Sequence, residues 1–313
     1  KIVFSGIGKN ENEIRHAIAN DCFQINVESL AELKKINQIA EGIGKVQNIG
    51  IRINPDVQSD THEKITTGSL ENKFGISVNE TLEIFNKTKE FSSLSITAIA
   101  FHIGSNIKDL SPFKNSFEVA KNLIDKIQLN YNSLKTIDVG GGISPEERNF
   151  SFKDYYDMLI SYFDKERFNF IFEPGRLIAA DAGILVSKVL YTKISEGKKF
   201  IIIDAGMNDM MRPALYDAEH EILTSKLNDS DHNIETEIVG PICESSDKFM
   251  RTTKFANIEE GDNVVIKNVG AYGSTMSSNY NARPFIEEIL INKDEIQIIR
   301  KKQSFDDFIK NEL

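Results

Sequence analysis

Through the first half of the chain, short apolar, β-branched runs alternate with segments whose apolar residues recur at helical spacing. Strands are expected at residues 1 to 6, 22 to 27, 49 to 53, 96 to 101, 136 to 139 and 168 to 172. Between them, Ile14, Ala17 and Ile18, then Leu30, Leu33, Ile36 and Ala40, then Phe117, Ala120, Ile124 and Ile127, then Tyr155, Leu159 and Tyr162 form inward stripes. Asn10 with Glu13 and Ser29 with Glu32 read as capping boxes. Ser77 with Glu80, Ser111 with Pro112, and Ser151 mark three further helix starts. The polar stretch from Pro55 to Phe74 leaves a strand end as a long loop, the kind that usually carries function. Six βα units in succession predict a right-handed parallel array.

Beyond Arg176 the pattern changes. Residues 199 to 203, 235 to 239, 263 to 266, 285 to 291 and 295 to 299 read as strands with only brief helical pieces between them. The chain therefore divides into an α/β part, residues 1–178, and a β-rich C-terminal domain, residues 179–313. Six parallel strands do not close a barrel, whereas eight do. An open doubly wound sheet would carry G-x-G-x-x-G after its first strand, and Gly6-Ile7-Gly8 lacks the third glycine. The expected fold is a (β/α)8 TIM-type barrel followed by a β-rich domain. The chain starts at Lys1 inside an apolar run, so its first two βα units are expected upstream, and the chain reads as a fragment.

Composition narrows the function classes. With 37 basic against 47 acidic residues the net charge is −10, and no basic stripe tracks a phosphate backbone, so nucleic acid is not an expected partner. No apolar stretch approaches the roughly 18 to 20 residues that span a bilayer. Two cysteines, Cys22 and Cys243, in 313 residues make no disulfide framework, which fits a reducing cytoplasm.

Three motifs end consecutive expected strands: His102-Ile103-Gly104-Ser105, Asp138-Val139-Gly140-Gly141-Gly142 and Glu173-Pro174-Gly175-Arg176. Parallel strands bring their C-terminal ends to one face, so the three can converge on one small molecule. A glycine triplet lets several N–H groups approach an anion, or is a tight turn. Glu173 suits a protonated pyridine nitrogen, or an ion pair with Arg176. His102 suits stacking on an aromatic ring, or is a core histidine. The ligand these motifs point to together is an aromatic phosphate cofactor, pyridoxal phosphate. No metal is expected, because His16, His62, His220 and His232 show no ligand spacing.

In the second half, Arg212 and Tyr216 lie four apart and point the same way on a helical turn, where arginine suits a bidentate grip on a carboxylate. Cys243 and Glu244 follow Gly240-Pro241 on a turn: a thiol there can move a proton at carbon and a carboxylate can hold an ammonium, while the plain reading of Cys243 is a buried small hydrophobe. Cys22 reads as buried in its strand. Tyr272, flanked by Gly270 and Gly273, is a ligand contact or a turn aromatic.

Together, ENKFGI (71–76), DVGGGISP (138–145), EPGR (173–176), DAGMNDMMRPALYDAEHEI (204–222), VGPICESSD (239–247) and GAYGSTMSSNYNARP (270–284) resemble the meso-diaminopimelate decarboxylases, pyridoxal-phosphate enzymes built from an α/β barrel and a β domain. The resemblance runs through the whole chain. It implies decarboxylation of meso-2,6-diaminopimelate to L-lysine. It implies His102 stacked on the cofactor ring, Ser105 and Gly140, Gly141 and Gly142 on its phosphate, Glu173 at its pyridine nitrogen, and Pro174, Gly175 and Arg176 completing that loop. It further implies Arg176, Arg212 and Tyr216 on substrate carboxylate, Glu244 on the distal amino group, Tyr272 on both cofactor and substrate, and Cys243 as proton donor. Cys243 and Glu244 of the family reach a partner subunit's site, so a homodimer is implied. Asn106 stands where many relatives carry glutamine. The family's Schiff-base lysine sits in a tyrosine-alanine-x-lysine-alanine-asparagine setting that does not occur here, and Lys9 and Lys73 lie outside any matching motif. The lysine is thus expected upstream, and this polypeptide alone is expected to be inactive. The rival readings are a sister decarboxylase for ornithine, arginine or carboxynorspermidine, and a non-catalytic binding relative.

Overall fold

In a computed structural model, the described residues are 1–56, 73–129, 131–146, 150–224, 234–253, 255 and 258–312. Most of the expected loop from Pro55 to Phe74, with His62 and the first two residues of the ENKFGI stretch, lies outside them, as does His232. The chain forms two compact units, Lys1–Leu177 and Ile178–Leu313.

The first unit is a six-stranded, all-parallel sheet in sequential order: β1 (Val3–Phe4), β2 (Gln24–Val27), β3 (Gln47–Arg52), β4 (Leu94–Ala100), β5 (Thr136–Asp138) and β6 (Asn169–Ile171). Helices α1 (Glu11–Ala19), α2 (Leu30–Ile43), α3 (Val78–Asn86), α4 (Ser111–Gln128) and α5 (Phe152–Tyr162) lie between the strands. Their apolar stripes and one set of alternating strand residues, such as Ile25, Val27, Ile49, Ile51 and Ile137, make a single core. The other strand face is polar: Gln24 and Asn26 on β2 and Asp138 on β5 are each at most 2% exposed.

That polar face shows how strongly the sheet curls. β2 and β5 are three strands apart, which would be about 14 Å on a flat sheet, yet Asn26 Nδ2 lies 2.8 Å from Asp138 Oδ2. The residues following β1 and β6 also meet: Ser5 Oγ is 2.8 Å from Glu173 Oε1. Six strands therefore form an arc of a parallel barrel with an enclosed polar interior. Gly50 is required there, because a Cβ on it would stand 2.2 Å from Asn26 Oδ1.

Helix starts follow local chemistry. The Asn10–Glu13 box is fully reciprocal. Ser29 caps α2 by accepting from the Glu32 amide, but Glu32 does not close the box: its carboxylate accepts from the Glu28 amide (2.7 Å) and pairs with Lys9 (2.9 Å). A neighbouring buried ammonium and a second amide outcompete the reciprocal bond. Leu110, not Ser111, is the N-cap of α4, and Pro112 sits in its first turn, where its missing N–H costs nothing.

The second unit is a mixed sheet in the order β11-β10-β8-β7-β12-β9, comprising β7 (Leu185–Ser195), β8 (Lys198–Ile203), β9 (Ile222–Thr224), β10 (Thr236–Val239), β11 (Lys248–Thr252) and β12 (Asn263–Ile266). A separate hairpin is built of β13 (Glu288–Asn292) and β14 (Glu295–Arg300). Among the described residues, only β8 and β10 pair in parallel within the mixed sheet. The β7–β8 hairpin turns on Glu196 and Gly197, both at positive φ, as a two-residue turn demands.

Candidate active site

The three strand-end loops of the first unit touch through backbone. A Cβ on Gly140 would stand 2.5 Å from Phe101 O, on Gly141 2.3 Å from Glu173 O, and on Gly142 2.3 Å from Gly104 O. The triplet is glycine because the β4 and β6 loops press on it from both sides. Glu173 N completes the contact by donating to Gly140 O at 2.7 Å.

Two of the triplet's amides are used inside the chain. Gly140 N donates to Asp138 Oδ1 (3.1 Å) and Gly141 N to His102 Nδ1 (3.1 Å). The amide of this turn left to face an anion is that of Gly142. The bond from Gly141 also settles the state of His102: Nδ1 accepts, so a neutral ring carries its proton on Nε2. Desolvation and the Arg52 guanidinium push the His102 pKa down to about 4. Arg52 itself is held by Glu28 (2.6 Å) and lies over the Phe74 ring, 4.8 Å from its centroid.

Ser105 and Arg176 meet across the β4 and β6 loops, with Arg176 Nη2 donating to Ser105 Oγ at 2.8 Å. Arg176 is buried and opens a single helical turn, α6 (Arg176–Ala179). Gly175, by contrast, is exposed, and nothing lies within 4 Å of a Cβ placed on it. A guanidinium, a hydroxyl and glycine amides at Gly142 and Gly175 are the donor set a phosphate takes. An adjacent cavity of about 280 Å³, walled by the triplet, Phe152, Tyr155, Tyr156 and Pro174, is apolar and offers no such chemistry.

Glu173 accepts from Ser5 Oγ and lies beside Asp138. Burial first, and then the Glu173 charge, push the Asp138 carboxyl up to about 7. Asp138 opens the glycine-triplet motif, but nothing in that motif assigns it a role, and Asn26 and Ser5 belong to no motif. The alternation of Gln24, Asn26 and Glu28 marks a polar strand face without naming a partner for Asn26, and nothing local marks Ser5.

In the second unit, Arg212 and Tyr216 do share one helical turn, α7 (Arg212–Tyr216). Arg212 is buried, with Nη1 3.1 Å from His220 Nε2, and His220 Nδ1 is 2.8 Å from Lys267 O. A carbonyl only accepts, so His220 donates from Nδ1 and its Nε2 accepts a hydrogen bond from the Arg212 guanidinium. Cys243 is exposed, so it is not a buried small hydrophobe. Its turn is clamped by Asp247, whose carboxylate accepts from Ile242 N and Met207 N, both at 2.7 Å. Glu244 Oε1 accepts from the Tyr280 hydroxyl, and Ser246 Oγ donates to Oε2 at 3.3 Å. Tyr272 is half exposed, with φ +60°. Cys22 is half-buried and precedes β2; its thiol donates to Ile2 O at 3.2 Å.

The model of the pyridoxal-dependent decarboxylase pyridoxal-binding domain matches residues 1–180. Diaminopimelate decarboxylase of Zymomonas mobilis is 38% identical over the whole chain, which spans 75% of that relative. The enzyme of Helicobacter pylori strain J99 is 41% identical, again over the whole chain and 78% of the relative. The chain belongs to the diaminopimelate decarboxylase family. The crystal structure of the Helicobacter pylori family member complexed with L-lysine superposes with a TM-score of 0.92 at 39% identity, covering 99% of this chain and 78% of that one. The family architecture is the α/β barrel plus β domain, and the two sheets described above are its two parts. Among the described residues, no helix is long and apolar enough to cross a membrane and no group of three or more potential ligands is placed to hold a metal.

Proposed function

We propose that the chain serves a cytoplasmic, pyridoxal 5'-phosphate-dependent carboxy-lyase that converts meso-2,6-diaminopimelate to L-lysine and carbon dioxide. The observation that carries this reading is the junction of three loops. His102 is fixed in one neutral tautomer by Gly141, Ser105 is joined to Arg176, and Glu173 is held by Ser5, all in the unit that matches the pyridoxal-binding domain.

These residues fit the cofactor. Ser105, Arg176 and the amides of Gly142 and Gly175 would hold its phosphate, with Gly140 and Gly141 shaping the turn and Pro174 bracing the next loop. Neutral His102 would bind beside its ring without adding positive charge, and the Glu173 carboxylate would stabilise a protonated ring nitrogen. The group supplies, when bound, a sink for the electrons of the breaking carbon–carboxylate bond. Arg176 also reaches the substrate, whose carboxylate is gripped by Arg212 and Tyr216. His220 aims the guanidinium by accepting a hydrogen bond from its Nη1. Glu244, steadied by Tyr280 and Ser246, holds the distal ammonium, and Tyr272 contacts both cofactor and substrate. The Cys243 thiol, presented by the Asp247-clamped turn, delivers the proton to carbon after carbon dioxide leaves. Residues 1–178 act as the cofactor-binding part and residues 179–313 supply substrate contacts and the contacts of a homodimer with shared sites.

The test is carbon dioxide release by protein produced from its full reading frame, supplied in turn with meso-diaminopimelate, ornithine, arginine and carboxynorspermidine. Preference for meso-diaminopimelate by at least a hundredfold in kcat/KM is expected, since a site built to bind a polar group rejects analogues lacking it by more than that. Comparable rates on ornithine or arginine would assign the chain to a sister activity.

A further inference from the structure

Beneath the strand-end loops, a buried chain of side chains runs to the one carboxylate assigned to the cofactor ring. Gln24 Nε2 donates to Asn26 Oδ1 (2.7 Å), and Asn26 Nδ2 donates both to Asp138 Oδ2 (2.8 Å) and to Ser5 Oγ (3.0 Å). Because Ser5 accepts from an amide, its own proton is directed onward to Glu173 Oε1 (2.8 Å). Asp138 takes a second donor from Gly140 N and lies beside Glu173. Two carboxyls side by side in a desolvated interior resist ionising together, and one proton held between them relieves that repulsion.

We propose that Asp138, Asn26 and Ser5 are positioning residues for Glu173: the Asp138–Glu173 pair holds one proton, kept on Asp138, and the Asn26–Ser5 relay holds the negative charge on Glu173, aimed at the ring nitrogen. The aim toward a ring rests on the function proposed above; the one-proton pair does not. Burial decides which carboxyl is charged: Asp138 is 1% exposed while Glu173 is half-buried, so desolvation keeps the proton on Asp138 against its donors Asn26 Nδ2 and Gly140 N, and the Ser5 hydroxyl proton favours the carboxylate on Glu173. The raised Asp138 pKa agrees with a proton resident on that group. The other ionisable groups around the relay are already matched. Lys9 donates to Asn26 O (2.7 Å) and pairs with Glu32, Arg52 pairs with Glu28, and His102 is neutral. None of them offers Glu173 a competing proton at neutral pH.

Two measurements on the 313-residue chain test this. In the first, carbon-13 carboxyl resonances are titrated without ligand. One proton should leave Asp138 near pH 7, and in Asp138→Asn that step should vanish. A near-neutral step surviving in Asp138→Asn, or two carboxylates both ionised at pH 6 in the wild type, overturns the proposal. In the second, pyridoxamine 5'-phosphate labelled with nitrogen-15 in the ring is bound; it needs no covalent lysine. The ring nitrogen should be protonated in the wild type and in Asp138→Asn, whose net charge at the pair is the same. In Ser5→Ala and Asn26→Ala it should move toward the unprotonated position with affinity falling about tenfold, the scale of a lost bond to a charged group. An unmoved ring resonance in both variants overturns the relay. If instead Glu173→Gln leaves the ring resonance unchanged, the placement of Glu173 at the nitrogen fails, while the carboxyl titration still decides the pair.

Discussion

The two units present their chemistry in opposite ways. In the first, Ser5, Asn26, Asp138, Glu173, His102 and Arg176 sit in mutual hydrogen bonds anchored on strand ends. In the second, Arg212 is buried against His220, but Cys243 and Tyr272 are exposed on turns whose backbone, not whose side chains, is fixed. The contrast is the one the proposed roles would demand: holding a resident cofactor would reward side chains set in advance, whereas groups that move protons or admit substrate would need a rigid backbone and mobile side chains.

The largest effect that follows is on Cys243. In protein produced from its full reading frame, Cys243→Ala should lower lysine formation by about 10²- to 10⁴-fold, the range of a lost proton donor. The melting temperature and cofactor affinity should be nearly unchanged, since the residue is exposed. Steady-state kinetics beside cofactor titration reads both; equal losses in turnover and cofactor binding would break the contrast by placing Cys243 among the pre-set residues.

Next is Gly141→Ala. Its new methyl would stand 2.3 Å from a backbone oxygen, Glu173 O, in a junction packed by three loops. The expected cost is about 2–3 kcal/mol of stability, read by denaturant unfolding followed with a probe in the first unit. A loss under about 0.5 kcal/mol would mean the loops are not locked together.

A subtler effect comes from two buried groups shifted in opposite senses. His102, lowered from 6.5 to about 4, binds less proton folded than unfolded, so its contribution to stability falls as pH drops from 6.5 toward 4. Asp138, raised from 3.8 to about 7, binds more proton folded, so its contribution rises as pH drops from 7 toward 4. In the wild type the two offset each other across that window. Asp138→Asn removes one side, and its stability relative to wild type should fall by a few kcal/mol between pH 7 and pH 4.5. Chemical denaturation at the two pH values measures it; parallel curves for the two proteins would show that the pair is not set as described.

Much of this was legible in the chain. The apolar periodicity of α4 and α5, the caps Asn10, Ser29, Ser77 and Ser151, and the six β strands of the arc follow from local chemistry that tertiary contacts left intact. The three glycine-bearing loops were legible because backbone contact tolerates no side chain. Less visible were β7, β9 and β11. In β7 the buried face holds Ser187 between Leu185 and Val189 while the exposed face holds Val186 and Leu190, so apolar and polar residues do not alternate with burial, and β9 is held by pairing to β12 rather than by its own sequence. The relay of Asn26 and Ser5 and the clamp of Asp247 were not legible. Isolated polar residues acquire meaning only when curvature or a turn brings a partner from far along the chain, as Asp138 reaches Asn26 across 112 positions.

The smallest expected effect separates the two kinds of glycine within the first unit. Gly175 directly follows Glu173 and Pro174, which stand against Gly141, yet its position is exposed, its φ is not in the left-handed region, and no atom stands within 4 Å of an added Cβ. Gly175→Ala should therefore leave stability unchanged or raise it by up to about 0.5 kcal/mol, because the unfolded chain loses freedom. Only a ligand would feel the methyl. Binding of pyridoxamine 5'-phosphate should weaken about three- to tenfold by displacement from the loop amides, while the much weaker binding of pyridoxamine, which has no phosphate, should stay the same. Equal weakening of both ligands would move the methyl's influence to the ring, and no weakening of either would take the Glu173–Arg176 turn out of the anion site and leave the phosphate to Ser105 and Gly142.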